Sequence, residues 1–327
     1  MEPITSNEEL ERFASFTEAI RDALGESGRI KELSPDEAAE RGCLSTLRSL
    51  HRRGRAELTV NLCTSAAKGG QLEVLEWLRE NECPWDEYTC WAAAQGGHLE
   101  ALQWARENDC PWNEQMCKEA AFGGHLEVLK WARQNGCPWN EYTCWAAAQG
   151  GQLEVLQWVR ENDCPWNEQM CKEAAFGGHL EVLKWARENG CPWDENTCWS
   201  AAQGGHLEVL QWARQNGCPW NGNTCNEAAK GGHLEVLKWA RENGCPWHAV
   251  TIVEAAKHDH AEICVWAIQN GCPVDFPAVV AIGALASRRP DKSETLRTFM
   301  ESSRLTVEMD SSAARRIQEW LKEQKKA

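Results

Sequence analysis

The sequence is poor in positive charge. Lys and Arg number 34 against 49 Asp and Glu, a formal net charge of -15. Binding to phosphate depends on clustered cations, so this balance argues against nucleic acid or an anionic lipid surface as partner and favours a neutral or basic protein. Long apolar runs are missing too. No stretch approaches the roughly 18 residues needed to cross a bilayer, and the opening MEPITSNEEL has neither the basic nor the apolar segment of a secretory leader. These absences read as a soluble intracellular protein, placed in the cytoplasm with the nucleus as the alternative, and the chain is expected to be monomeric. Tyr (2) and Phe (6) are scarce, so the 19 Trp are not part of a general aromatic enrichment. Together with 17 Cys they point to a segment that has been copied.

The copied unit is explicit. Cys-Pro-Trp stands at 83–85 and recurs at 110, 137, 164, 191, 218 and 245, closing with Cys272-Pro273-Val274, so the step is 27 residues throughout. Eight units span 59–274, and the one at 86–112 reads DEYTCWAAAQGGHLEALQWARENDCPW. Asp86 is suited to cap a helix that starts with Glu87, runs to about Gln95 and is stopped by Gly96-Gly97. A second helix is expected from near His98 to Asn108-Asp109, where the chain turns before Pro. We call these helices A and B. On B, the residues Leu99, Ala101, Leu102, Trp104 and Ala105 cover an arc of about 220°, too wide for one buried face and suited to cover from neighbours on both sides. On A, Cys90, Ala93 and Ala94 fall together, so that adjacent helices can approach closely. The expected fold is therefore all-α, a solenoid of helix-turn-helix repeats. A second period overlies the first: 86–139 and 140–193 are identical at 49 of 54 positions.

The flanks are degraded copies. In 1–58, Ala38-Ala39, Gly42, Leu44 and Leu47 precede Ala66-Ala67, Gly70, Leu72 and Leu75 by 28 residues, which makes 36–50 a capping repeat behind a helix at 1–27. In 275–327, a degraded unit at 278–305 is followed by a polar helix at 310–325.

The unit resembles an ankyrin repeat. GGHLEVLKWARENGCPW at 177–193 is similar to that family's second helix and following turn, while Thr89 and Ala93-Ala94 fall near its Thr-Pro-Leu-His and Ala-Ala positions. The resemblance implies a binding module without catalytic activity or cofactor, whose inner face holds a protein partner. Three departures stand out. The unit is about six residues shorter than the family's, which removes the long β-hairpin. Arg106 stands where the family prefers an aliphatic residue, and Thr-Cys-Trp-Ala (Thr89 to Ala92) replaces the Thr-Pro-Leu-His signature.

The residues also speak against chemistry. Cys83 and Cys90 with His98 have no zinc-module spacing, and Cys is better read as an Ala-like buried residue at two positions, leaving no metal site. His98, His125, His179, His206 and His233 share a turn position that Gln71 and Gln152 also occupy; Gln can replace a hydrogen-bonding His but not a general base. No nucleophile-base arrangement or phosphate loop stands out from the repeat. Trp85, Trp112 and Trp104 read as core anchors. A third set differs: Trp91, Trp145 and Trp199 alternate with Lys118, Lys172 and Asn226, and a position that tolerates Lys is expected to face solvent. Trp91, Lys118, Trp145, Lys172 and Trp199 are therefore the expected protein-binding ladder on helix A, with Lys set between indoles for cation-π contact. Two rivals remain: a structural or fast-evolving copy without a fixed partner, and single-stranded nucleic acid stacked on Trp, which lacks the basic groove such binding uses.

Because stacked repeats are stabilised by their neighbours, deleting 140–193 should leave a folded, shorter array, the new junction Trp139-Asp194 being one the sequence already uses in form. Loss of helical circular dichroism in that deletion variant would point to a closed globular core.

Overall fold

A computed structural model describes residues 33–288. The helices expected at 1–27 and 310–325, and the degraded unit from 289 onward, lie outside the described residues. Among the described residues all regular structure is helical, with 19 α-helices and no strand. The chain divides into two compact units, Met1–Pro165 and Trp166–Ala327.

Within each unit the architecture is a succession of helix pairs. In the first, Glu87–Gln95 (A) is followed by Leu99–Glu107 (B), then Glu114–Gly123 (A) and Leu126–Gln134 (B). In the second, Glu195–Gln203 is followed by Leu207–Gln215, and Gly222–Gly231 by Leu234–Glu242. The N-terminal flank contributes a pair of its own, Pro35–Glu40 and Leu44–Arg52, with Ala38, Ala39 and Leu47 fully buried.

Helices of nine residues are too short to persist alone in water, so packing must hold them. A helices pack on the A helices of adjacent pairs. Their contact surface is small: Thr89, Cys90, Ala93 and Ala94 are all at 0% exposure, and the absence of bulky groups there lets backbones come close. On B helices Ala101, Leu102 and Ala105 are buried while Leu99 and Trp104 are half-buried, which matches the wide apolar arc. The A helices that start at 87, 114, 141, 168, 195 and 222 begin on a side-chain cap, while those that start at Val60 and Ala249 have none. Asp86 Oδ1 accepts from the Tyr88 amide at 3.0 Å, and Asn140 and Asn221 do the same for Tyr142 and Asn223.

The Gly-Gly between A and B does more than end a helix. Gly97 takes φ +74, and a Cβ there would stand 2.4 Å from the His125 ring; a Cβ on Gly96 would stand 2.5 Å from the His98 ring and 2.8 Å from the Lys68 carbonyl. The glycines make room for a histidine. Its Nε2 donates to the carbonyl at the end of the preceding A helix: His98 to Lys68 at 3.0 Å and His125 to Gln95 at 2.8 Å in the first unit, His206 to Phe176 at 3.0 Å and His233 to Gln203 at 2.9 Å in the second. Such terminal carbonyls have no partner inside their own helix. Gln71 and Gln152 make the same bond to Glu40 and Phe122. The ability of Gln to stand in for His is thereby explained.

Carbonyl donation requires a proton on Nε2, and in His206 burial is the main force that lowers the pKa, with His179 and His233 adding to it against the raising effect of the Phe176 carbonyl. The folded state therefore favours the neutral ring, and its contribution is complete above the ordinary histidine value of about 6.5 and is lost as the pH falls below it. The melting temperature should fall between pH 7.5 and 5.5, and His206→Gln should make that fall shallower. A variant with the parent's full pH dependence would remove His206 from the account.

Candidate protein-binding surface

The expected ladder divides between the two units, with Trp91, Lys118 and Trp145 in the first and Lys172 and Trp199 in the second. In neither is the position simply solvent-facing. The three Trp and both Lys are half-buried, and Asn226, at the same site, is buried at 7% exposure. The reason is a bond that crosses from one pair to the next. Trp91 Nε1 donates to Asn113 Oδ1 at 2.8 Å, and Trp199 Nε1 to Asn221 Oδ1 at 2.9 Å. Each acceptor is the N-cap of the following A helix, which already receives the amide of Gln115 or Asn223 on the same oxygen. Asn226 achieves a comparable tie by accepting from Thr251 Oγ1 at 2.7 Å. Each indole is thus mostly packed, with a minority of its surface exposed.

The lysines are arranged differently from the expected cation-π ladder. Lys118 Nζ lies 3.9 Å from Glu119, and Lys172 Nζ lies 3.8 Å from Glu173 and donates to Gln169 at 3.2 Å. The cations found over indole faces are arginines, on the B-helix side.

Composition alone does not distinguish the most exposed aromatics. Tyr88 (52%), Tyr142 (47%) and Phe122 (43%) in the first unit, and Phe176 (41%) in the second, are among the exposed large apolar side chains. Tyr88 and Tyr142, the two tyrosines of the chain, stand edge-on to Trp91 and Trp145 with ring centroids 4.4 and 4.5 Å apart. Their signal was the same 54-residue alternation that singles out Trp91, since Tyr88/Tyr142 and Phe122/Phe176 keep that step. The A-helix side of the first unit is thus an aromatic surface interrupted by the polar Gln115, Lys118 and Glu119, with Gln95 donating to Glu119 at 3.1 Å across the gap between pairs.

The opposite side carries a second aromatic series. Trp85 meets Trp104 edge-on at 5.8 Å, and the Arg79 guanidinium lies 4.3 Å above the Trp85 ring. The pattern returns as Arg106 over Trp112 with Trp131, and in the second unit as Arg187 over Trp193 with Trp212. Trp85, Trp104 and Trp112 are half-buried rather than sealed in the core. Arg106 also donates to the Cys110 carbonyl. Its departure from an aliphatic residue is the price of covering an indole.

Cysteine has two roles. On helix A it is small and buried, as the Ala-like reading expects. In Cys-Pro-Trp it is also a donor: Cys110 Sγ reaches the Asp86 carbonyl at 3.3 Å, and Cys218 reaches that of Asp194 at 3.3 Å, tying the end of a unit to the start of its own A helix. Hydrogen bonding to Cys90 and then burial push the Cys110 thiol up, and Cys198 is pushed up in the same way by Cys218; burial alone takes Cys264 to about 12. These thiols, held protonated, are weak nucleophiles and must lose that proton to bind a metal, whereas hydrogen bonds from Cys63, Cys144 and Cys225 push Cys83, Cys164 and Cys245 down. Among the described residues no group of three or more His, Cys, Asp or Glu is placed to hold a metal ion, and no helix is long and apolar enough to cross a membrane.

A family-model match agrees with this architecture. A family model described as ankyrin repeats (many copies) matches residues 90–133 and 198–241. No curated protein matches the chain. Among solved structures, the crystal structure of the human ASB11 ankyrin repeat domain is 17% identical, with 49% of this chain and 85% of that chain covered and a TM-score of 0.39.

If the indole N–H links adjacent pairs, Trp91→Phe and Trp199→Phe should each cost about 1 kcal/mol, the net worth of one hydrogen bond. Urea unfolding measures this, and unchanged midpoints would make the bond dispensable.

Proposed function

The chain is an ankyrin repeat protein, and from that premise we propose that it is an interaction scaffold or adaptor which holds a protein partner along its A-helix face. Ankyrin repeats are in general protein-protein interaction modules. The binding residues are Trp91, Lys118, Trp145, Lys172 and Trp199, joined by Tyr88, Phe122 and Tyr142. One observation carries the reading: Tyr88 and Tyr142 leave about half their surface exposed while braced edge-on against Trp91 and Trp145. Exposed, ordered aromatics on one surface are what interface hot spots are made of, because a rigid ring buries much area with little loss of side-chain entropy. Lys118 and the surrounding amides would supply the polar rim.

The rival view, that the indoles only pack, draws on the Trp91 bond to Asn113. Tyrosine separates the two. Tyr88→Ser with Tyr142→Ser removes exposed rings that make no bond to a neighbouring pair in the first unit's stack, so the melting temperature should move by only a few degrees. A partner recovered from nuclease-treated extract should bind the double variant at least tenfold more weakly. If affinity is retained, the A-helix face is not the contact surface.

A further inference from the structure

The side of the molecule away from the A helices carries a groove that the aromatic face does not account for. In the first unit it is a hollow of about 480 Å³ between consecutive B helices, lined by Lys130, Arg133, Gln134, Trp158 and Asn162. In the second unit, Gln211, Arg214, Gln215, Trp220, Trp239 and Asn243 line a hollow of about 400 Å³. The two sets stand at equivalent places in the repeat, 81 residues apart.

We propose that these grooves bind a carboxylate-rich segment of a partner protein, gripped by the stacked arginine. The guanidinium is fixed before any ligand arrives. Arg133 lies 4.1 Å over the Trp139 ring and donates to the Cys137 carbonyl at 2.9 Å, while Arg214 lies 4.3 Å over Trp220 and donates to the Cys218 carbonyl. One donor and one face are used. The remaining N–H groups of a planar five-donor fork suit a carboxylate, and little side-chain entropy is left to lose. Asn162 and Asn243 are also held, each giving Nδ2 to a carbonyl one turn back at 2.8 Å, which leaves the amide oxygen to receive a peptide N–H. The indoles of Trp158 and Trp239 form an apolar wall for the backbone between acidic side chains.

Charge selects the ligand. At the equivalent place in 86–112 the residues are Gln103, Arg106 and Glu107, so a carboxylate offsets the arginine. Glu188 and Glu242 repeat that choice, whereas the two grooves have Gln134 and Gln215. The first groove is further enriched by Lys130, whose partner Glu127 is 2.7 Å away with its own side chain 76% exposed. The chain's net charge of -15 does not prevent this, because at physiological ionic strength fields from distant charges fade over about 8 Å and the groove's own cations dominate at contact.

The test uses the full chain and fluorescein-labelled octa-aspartate, with octa-lysine and octa-serine as controls, followed by anisotropy at low and physiological salt. Octa-aspartate should bind at least tenfold more tightly than either control. Gln134→Glu with Gln215→Glu, which installs the residue other repeats already have, should lower its affinity at least tenfold without moving the melting temperature. Glu107→Gln should raise affinity, a gain that misfolding cannot mimic. Tyr88→Ser should leave octa-aspartate binding as it is, which keeps this surface separable from the A-helix face. The proposal fails if octa-aspartate binds no better than octa-serine, or if the Gln-to-Glu pair leaves its affinity within twofold.

Discussion

Everything in each unit depends on how closely one A helix can lie against the next. A nine-residue helix has too few internal bonds to hold itself, so the contact through Cys90, Ala93 and Ala94 must do so, and it works only while those side chains stay small. The close approach then brings the Gln95 carbonyl within reach of His125, places the Trp91 indole at the cap of the following helix, and draws the Trp112 indole of the Cys-Pro-Trp turn into edge contact with Trp131 on the next B helix. A larger residue at Ala93 would therefore disturb more than its own packing, since several polar links share the same spacing.

Helix limits were readable in the sequence because each has a local cause. Asp86 caps, Gly97 takes a left-handed φ, and the alternation of apolar residues on B follows 3.6 residues per turn. The ladder at Trp91 was harder. Its tolerance of Lys suggested exposure, yet Asn226 is buried there, because each residue finds a different way to satisfy its polar atom: an indole N–H donates to Asn113, an ammonium reaches the surface, and an amide oxygen accepts from the Thr251 hydroxyl. Substitution pattern reports whether a polar group can be satisfied, which is not the same as whether the site is wet.

Arg106 illustrates a different limit. Counted on a helical wheel, it breaks an apolar arc. In the fold its guanidinium belongs to Trp112, six residues on and past the turn, and to the Cys110 carbonyl in that turn. No periodicity within helix B can show this, since the partner lies beyond the helix end. The cysteine of Cys-Pro-Trp was hidden for the same reason: its acceptor, the Asp86 carbonyl, is 24 residues back, at the start of the unit it closes.

Two faces built from one repeat can still differ in what they attract. On the A side, variation between pairs exchanges Trp for Lys or Asn and Tyr for Gln, so the surface changes in size and polarity while the N-cap bonds keep the helices in place. On the B side the stacked Arg and Trp persist in both units, and variation in charge falls on two positions, Gln or Lys in mid-helix (Gln103, Lys130) and Glu or Gln at the last position of the helix (Glu107, Gln134). Neither exchange touches the buried Cys and Ala that set the spacing. A scaffold whose cohesion lies in small interior residues is free to alter either surface without repacking, and that separation of packing from surface is what allows near-identical repeats to present non-identical faces.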